Sequence, residues 1–453
     1  MGCRHVILNQ RFRTPARVLF ASSVLALTVT ACSSASLAPS APSGTEAESI
    51  ATRVSAESAH ALAKGFTVLY SFQAAPDGTV PLAGVILDKA GDIFGTTSTG
   101  GALGNGAVFE LKHVHKAYTE SVLHSFASTD GTTPIAAPFE DASGDLFAAA
   151  SAGGGSSGYG TLVELSPQKK GYGETGLFAF DFADGANPEA GFFDASGALY
   201  TTAFSGGADS YGDIVKASAS GLSATDVYDF QGPPDGASPD SSLVADAGGA
   251  LYGTTYYGGN GSCPQGEHLF YHCGVVFKFV PSGHGGAESV LYMFQGGNDG
   301  ADPYDGVVLD NSGNIYGTTI YGGDTNCGNR GSPNGCGTVF KLTPQRGGGY
   351  KESILYSFKG SADGQYPYGG LTAKGDTLYG TTEFGGGSTA CAIGCGTIFK
   401  LTESGKGYAV VHSFQSTDGA NPQAGLSAKG SALYGTTAGG GSAGNGVVFE
   451  FVP

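Results

Sequence analysis

The sequence contains no tryptophan, only two methionines, and just 22 lysines and arginines among 453 residues. Charged residues of either sign reach 13%. That scarcity, beside 78 glycines, does not suit long helices. The net charge is −17, and an acidic chain repels phosphate backbones, so nucleic acid is excluded as the expected partner. The lack of tryptophan also removes the ring most often used as a sugar platform. The one long apolar run, VLFASSVLALTV at 18–29, is shorter than the roughly 20 residues a spanning helix needs.

What is abundant is glycine, phenylalanine (27) and tyrosine (22), a mix for short strands joined by tight turns. The first 17 residues carry Arg4, Arg11, Arg13 and Arg17 with no acid, and the apolar run ends in VTAC. A basic segment, an apolar segment and small residues make an export signal over 1–31. Its ending resembles a bacterial lipobox, which implies that Cys32 is lipidated. Ser33 follows Cys32, and the absence of Asp there favours the outer membrane. The expected location is the cell envelope, lipid-anchored, or secreted. Residues 32–64, rich in Ala, Ser, Pro and Glu, read as a flexible tether.

Self-similarity dominates the rest of the chain. The motif D-G-x-x-P occurs seven times, at Asp77, Asp130, Asp184, Asp235, Asp299, Asp363 and Asp418. Each copy follows a strand-like run ending in Phe, as in LYSF (69–72). Each precedes an apolar segment, a turn, an aromatic with small residues (LYGTT, 251–255), a Gly-rich loop and a strand such as TVFKLT (338–343). Every unit therefore reads as four short antiparallel strands, which is one propeller blade. The last unit stops after three strands, and GFTVLYSF (65–72) is a fourth strand with no preceding three. The expected fold is all-β: a seven-bladed β-propeller over 65–453, closed by the N-terminal outer strand joining the C-terminal three.

The consensus LYSF…DGxxP…LYGTT…GG…VFKL resembles the Gloeo/Verruco (GloVer) tandem repeat across essentially all of 65–453. The resemblance implies an exported protein of the choice-of-anchor kind. It supplies no catalytic residues. Blades two and three depart from it, with LFAAA (146–150) and LYTTA (199–203), and with Leu162-Val163 and Ile214-Val215 where the others have Val-Phe or Ile-Phe.

Three sets of residues are candidates for function. The seven repeat aspartates suit turns, where Asp bonds nearby amides and Gly takes the special backbone. Asp299, Asp302 and Asp305 in NDGADPYD are the best case for calcium, but the segment lacks the dense Asp/Asn alternation of a dedicated loop. No resident cofactor or metal is otherwise implied. The second set is cysteine. Cys263/Cys273, Cys327/Cys336 and Cys391/Cys395 recur in the same loop of blades four, five and six. Only the first pair encloses Glu267, His268 and His272, so three in-loop disulfides are simpler than a zinc site. The third set is Tyr256, Tyr257, Tyr321 and Phe384, which stand before Gly-Gly in those same three blades. They make an aromatic rim beside carboxylates, suited to a glycan or protein ligand.

The expected function is a lipid-anchored, non-catalytic binding or scaffold module, acting as a monomer and touching membrane only through its anchor. An exported propeller enzyme, a lyase or hydrolase with a central pocket, is the alternative. It would need unique polar residues at the pore mouth. The inner strands are mostly apolar or small, and His124 and His412 belong to outer strands. An extracytoplasmic metal-binding protein is a third reading.

Overall fold

The computed structural model describes residues 65–453, except 116, 195–196, 219–222, 261–262, 264–272, 284, 325–326 and 328–333. The export signal, Cys32, the tether, Glu267, His268 and His272 lie outside the described residues.

Seven four-stranded antiparallel sheets follow one another in the order of the repeat. Blade five is representative: Val308–Leu309, Ile315–Thr319, Thr338–Pro344 and Tyr350–Ser357 run from the inner strand to the outer. Blade seven combines Ser427–Lys429, Ala432–Thr437 and Val447–Val452 with Gly65–Ser71. Gly65 pairs with Val452 and Ser71 with Val447, so the two ends of the repeat array share one sheet. In all seven blades a bulge interrupts the pairing of the third and fourth strands. Bulges sharpen the local twist, which an outer strand needs to wrap a blade edge.

The LYGTT element is buried in the core of its blade. Its glycine lies directly opposite the Phe of the third strand: Gly95–Phe109, Gly253–Phe277, Gly317–Phe340, Gly380–Phe399 and Gly435–Phe449. A Cβ on any of these glycines would stand 2.4–2.8 Å from the ring tip. Blades two and three pair Ala148 with Val163 and Thr201 with Val215. A larger residue on one strand thus accompanies a smaller one opposite, which conserves core volume.

The first Thr of GTT joins neighbouring blades. Thr96, Thr202, Thr254, Thr318, Thr381 and Thr436 donate to the carbonyls of Ala136, Ser241, Asp305, Gly369, Ala424 and Ala83 at 2.6–3.2 Å. Blade two has Ala149 at this position and makes no such bond.

A second latch involves the residue before the repeat proline. Val80, Thr133, Asn187, Ser238, Asp302, Tyr366 and Asn421 all have φ of 56–58°. That region is unfavourable for non-glycine residues, most of all for a β-branched Val. It aims each amide at the previous blade, where Asn445, Asn105, Tyr159, Tyr211, Cys273, Cys336 and Cys395 accept it at 2.7–3.0 Å. The glycine after each acceptor leaves room for the incoming proline, whose Cδ would lie 2.4–2.6 Å from an added Cβ.

Candidate binding face

The loops after the second strand and the D-G-x-x-P loops pair with each other on one face. Tyr257–Gly258 pairs with Gly236–Ala237, Tyr321 bridges Ala301, and Phe384 bridges Gln365. The repeat aspartates work inside these loops. Each accepts the amide of the residue after the strand-ending Phe, from Gln73 to Gln415, at 2.6–3.0 Å. A side chain of the outer strand adds a second contact in six blades. Tyr70, Tyr228, Tyr292 and Tyr356 donate to Asp77, Asp235, Asp299 and Asp363 at 2.5–2.9 Å. His124 and His412 bring Nε2 within 3.3 Å of Asp130 and Asp418. Tyrosine appears where Asp lies five positions after Phe, and in blades two and seven, where it lies four after, the shorter imidazole takes its place.

Asp299, Asp302 and Asp305 are given different surroundings. Asp299 holds Tyr292 and Gln295. Asp305 accepts the amides of Gly306 at 2.6 Å and Gly370 at 2.7 Å, and so joins blades five and six at the centre of the ring. Asp302 is 1% exposed, and neither of its carboxylate oxygens has a hydrogen-bond partner. Burial pushes its pKa up to about 8, a shift opposed by the nearby Tyr256 hydroxyl. Its carboxyl is therefore held well above the usual carboxylate range.

The aromatic residues form an arc over blades four to six. Tyr257 packs on Tyr256, Tyr256 on Tyr304, and Tyr304 on Tyr368, with ring centroids 4.5, 5.9 and 5.2 Å apart. Tyr321 and Phe384 both pack on Tyr366, at 5.4 and 6.0 Å. All five contacts are edge-to-face, with interplanar angles of 71–87°. The rings are half-buried, so each is held by its neighbours while part of it stays accessible. Burial, and after it the neighbouring acids and tyrosines, holds Tyr256, Tyr321 and Tyr368 above the usual tyrosine pKa. Glu383 completes the cluster. Gln423 donates to its Oε1 at 2.8 Å, and burial raises its pKa to about 7.

Tyr304, Tyr366 and Tyr368 escaped the sequence reading. Their signal was DPY (302–304) and YPY (366–368), where the repeat proline has aromatic flanks in blades five and six alone. Blades one and two have Leu82 and Ile135 after that proline.

The three disulfides form, with Cα–Cα distances of 5.4, 5.8 and 5.2 Å. Cys273, Cys336 and Cys395 are also the carbonyls that accept the next blade's amide. Two of those amides belong to Asp302 and Tyr366, so the disulfides brace the backbone beneath the arc. A groove of about 500 Å³ lies at the opposite end of the molecule, between 86–89 of blade one and 427–429 of blade seven.

The Gloeobacter/Verrucomicrobia repeat matches residues 151–329 and 328–453, about two thirds of the chain. The chain belongs to this repeat family. No curated protein matches it. Among solved structures, a fungal alcohol oxidase of the AA5 family in complex with copper is 11% identical, with a TM-score of 0.51 over 86% of this chain and 76% of that one. An extracellular domain from B. thetaiotaomicron, assigned to a hybrid two-component system, is 11% identical with a TM-score of 0.50; the match covers 86% of this chain and 42% of that one. PorZ, a bacterial surface component of the type-IX secretion system of Porphyromonas gingivalis, is 13% identical with a TM-score of 0.49, over 81% of this chain and 46% of that one. The repeat thus builds a fold shared with proteins of unrelated chemistry, and the likeness extends to the fold alone. Among the described residues no helix is long and apolar enough to cross a membrane.

Proposed function

We propose that this repeat protein is an exported, non-catalytic binding module whose ligand lies on the aromatic arc of blades four to six. The observation that carries the reading is the arc itself: seven half-buried rings packed edge-to-face across blades four to six. Repeat architecture explains the aspartates, the GTT element and the prolines, but it does not call for Tyr304, Tyr366 or Tyr368. Ring faces recognise sugar C–H surfaces and apolar side chains alike. Burial raises the carboxyls of Asp302 and Glu383 above the usual carboxylate range, which lessens the negative charge beside the rings and favours an uncharged polar ligand, and we read it as a glycan. The three disulfides support an oxidising, extracytoplasmic setting. The lipobox-like VTAC and Ser33 support an anchor at Cys32 in the outer membrane.

Asp302 supports a second reading. A buried carboxyl held above the usual carboxylate range among tyrosines is also the equipment of an exported lyase or hydrolase. Binding of the purified protein to a glycan array, followed by mass spectrometry of each bound glycan, separates the two. The binding reading expects retention of intact glycans and loss of retention in the Tyr304→Ala/Tyr368→Ala double variant. Shortened products that disappear with Asp302→Asn would establish the enzyme instead.

A further inference from the structure

Blade three departs from the repeat at three acidic positions, and the fold brings them together. Asp213 opens the third strand, where the other blades have Ala, Thr or Val. Asp229 precedes the strand-ending Phe, where they have Ser, Ala or Met. Asp226 takes the place that Val290 and Ile354 occupy in blades four and five. Asp213 and Asp229 are direct cross-strand partners, an unfavourable placement for two like charges. Carboxylate oxygens from all three residues lie within 4.8 Å of one another.

Asp213 is 0% exposed, and neither of its oxygens has a hydrogen-bond partner; Oδ1 of Asp226 is likewise buried and unbonded. Loop glycines make room for the group. A Cβ on Gly207, at φ +72°, would lie 2.5 Å from Oδ1 of Asp229 and 3.0 Å from Oδ2 of Asp213. A Cβ on Gly185 would lie 2.7 Å from Oδ1 of Asp213. One bond is supplied locally, from the Ala208 amide to Asp229 at 2.7 Å. The charges that act most on Asp213 are Asp226, Asp229 and Asp184, all negative. Burial first, and then these like charges, pushes its pKa up to about 9, and that of Asp226 rises to about 6. A buried, unbonded carboxylate among like charges needs either a proton or a cation.

We infer that Asp213, Asp226 and Asp229 form a divalent-cation site in blade three, and that the ion is calcium. The donors are all oxygen, which selects a hard cation. Magnesium demands a near-octahedral shell and is reluctant to give up its waters, whereas calcium accepts an irregular shell of carboxylate oxygens. The site belongs to blade three, outside the aromatic arc of blades four to six, and is independent of the binding reading.

The test is calorimetry and thermal unfolding of the purified, EDTA-treated protein, with calcium chloride or magnesium chloride as the probe. One saturable calcium site should appear, with a rise in Tm of several degrees and a weaker response to magnesium. Asp213→Asn and Asp229→Asn should each abolish the calcium response while the circular dichroism spectrum of the β-fold persists. A calcium response that survives in both variants would place the ion elsewhere and overturn the assignment. A wild-type protein indifferent to calcium, with Asp213→Asn more stable than wild type, would overturn it too, because a proton would then be what the cluster holds.

Discussion

Substitution of Gly317 by Ala tests the volume pairing that links LYGTT to VFKL. Gly317 has no left-handed backbone to lose, and alanine alone would slightly favour folding by restricting the unfolded chain. In the folded blade, however, the new Cβ would sit 2.5 Å from Cζ of Phe340, itself fully buried. The ring must retreat by close to 1 Å in a packed core, at a cost of about 1–3 kcal/mol. Phe340→Val leaves a void instead, costing somewhat less than the roughly 3–5 kcal/mol of a buried Phe→Ala change. The double variant recreates the pair that blade two already has, Ala148 opposite Val163. Its destabilisation should fall short of the sum of the single changes by about 0.5–3 kcal/mol, the range for residues in contact. Urea unfolding followed by circular dichroism and tyrosine fluorescence reads all three variants, since the chain has no tryptophan. Additivity within about 0.5 kcal/mol would refute the pairing argument.

Three further outcomes follow from the same geometry. Thr381→Val removes the hydroxyl bonded to the Ala424 carbonyl and should cost about 1–3 kcal/mol in urea unfolding, because a buried acceptor is left unpaired; Ser in its place should restore most of that. Replacing Cys327 and Cys336 together by Ser should cost roughly 2–3 kcal/mol on the chain-entropy account, with less for the shorter Cys391–Cys395 loop; equal losses would contradict loop closure as the cause. Asp302 and Glu383 have pKa values raised to about 8 and about 7 in the folded protein. The folded state therefore binds more protons than the unfolded chain between about pH 4 and pH 8, and their contribution to stability falls as pH rises through that window. Asp302→Asn with Glu383→Gln should flatten the Tm-versus-pH profile over that interval; an unchanged slope in the double variant would remove both residues from the account.

The ring was legible because its signals are repeated. Seven copies of D-G-x-x-P, and a strand missing at one end and spare at the other, specify both blade number and closure. The latches were harder to read. Nothing in V-P, T-P or N-P announces a left-handed residue before proline, since that conformation is imposed by the amide acceptor in the previous blade. The GTT hydrogen bonds were not legible because their partners lie 39–51 residues ahead for Thr96, Thr202, Thr254, Thr318 and Thr381, and at the other end of the array for Thr436. The Gly–Phe pairing was written in the departures of blades two and three, which change both partners together. The rim was found only in part. Tyr256, Tyr257, Tyr321 and Phe384 stood out beside Gly-Gly, whereas Tyr304, Tyr366 and Tyr368 were hidden in a motif already explained as a turn.

The account rests on the arc as the place where ligand meets protein. Hydrogen exchange with and without a glycan retained on the array addresses that directly, because it localises contact without any substitution. The account predicts slower exchange in 254–258, 301–305 and 365–368, with the groove between 86–89 and 427–429 unaffected. Protection confined to that groove, or to blade three, would contradict it.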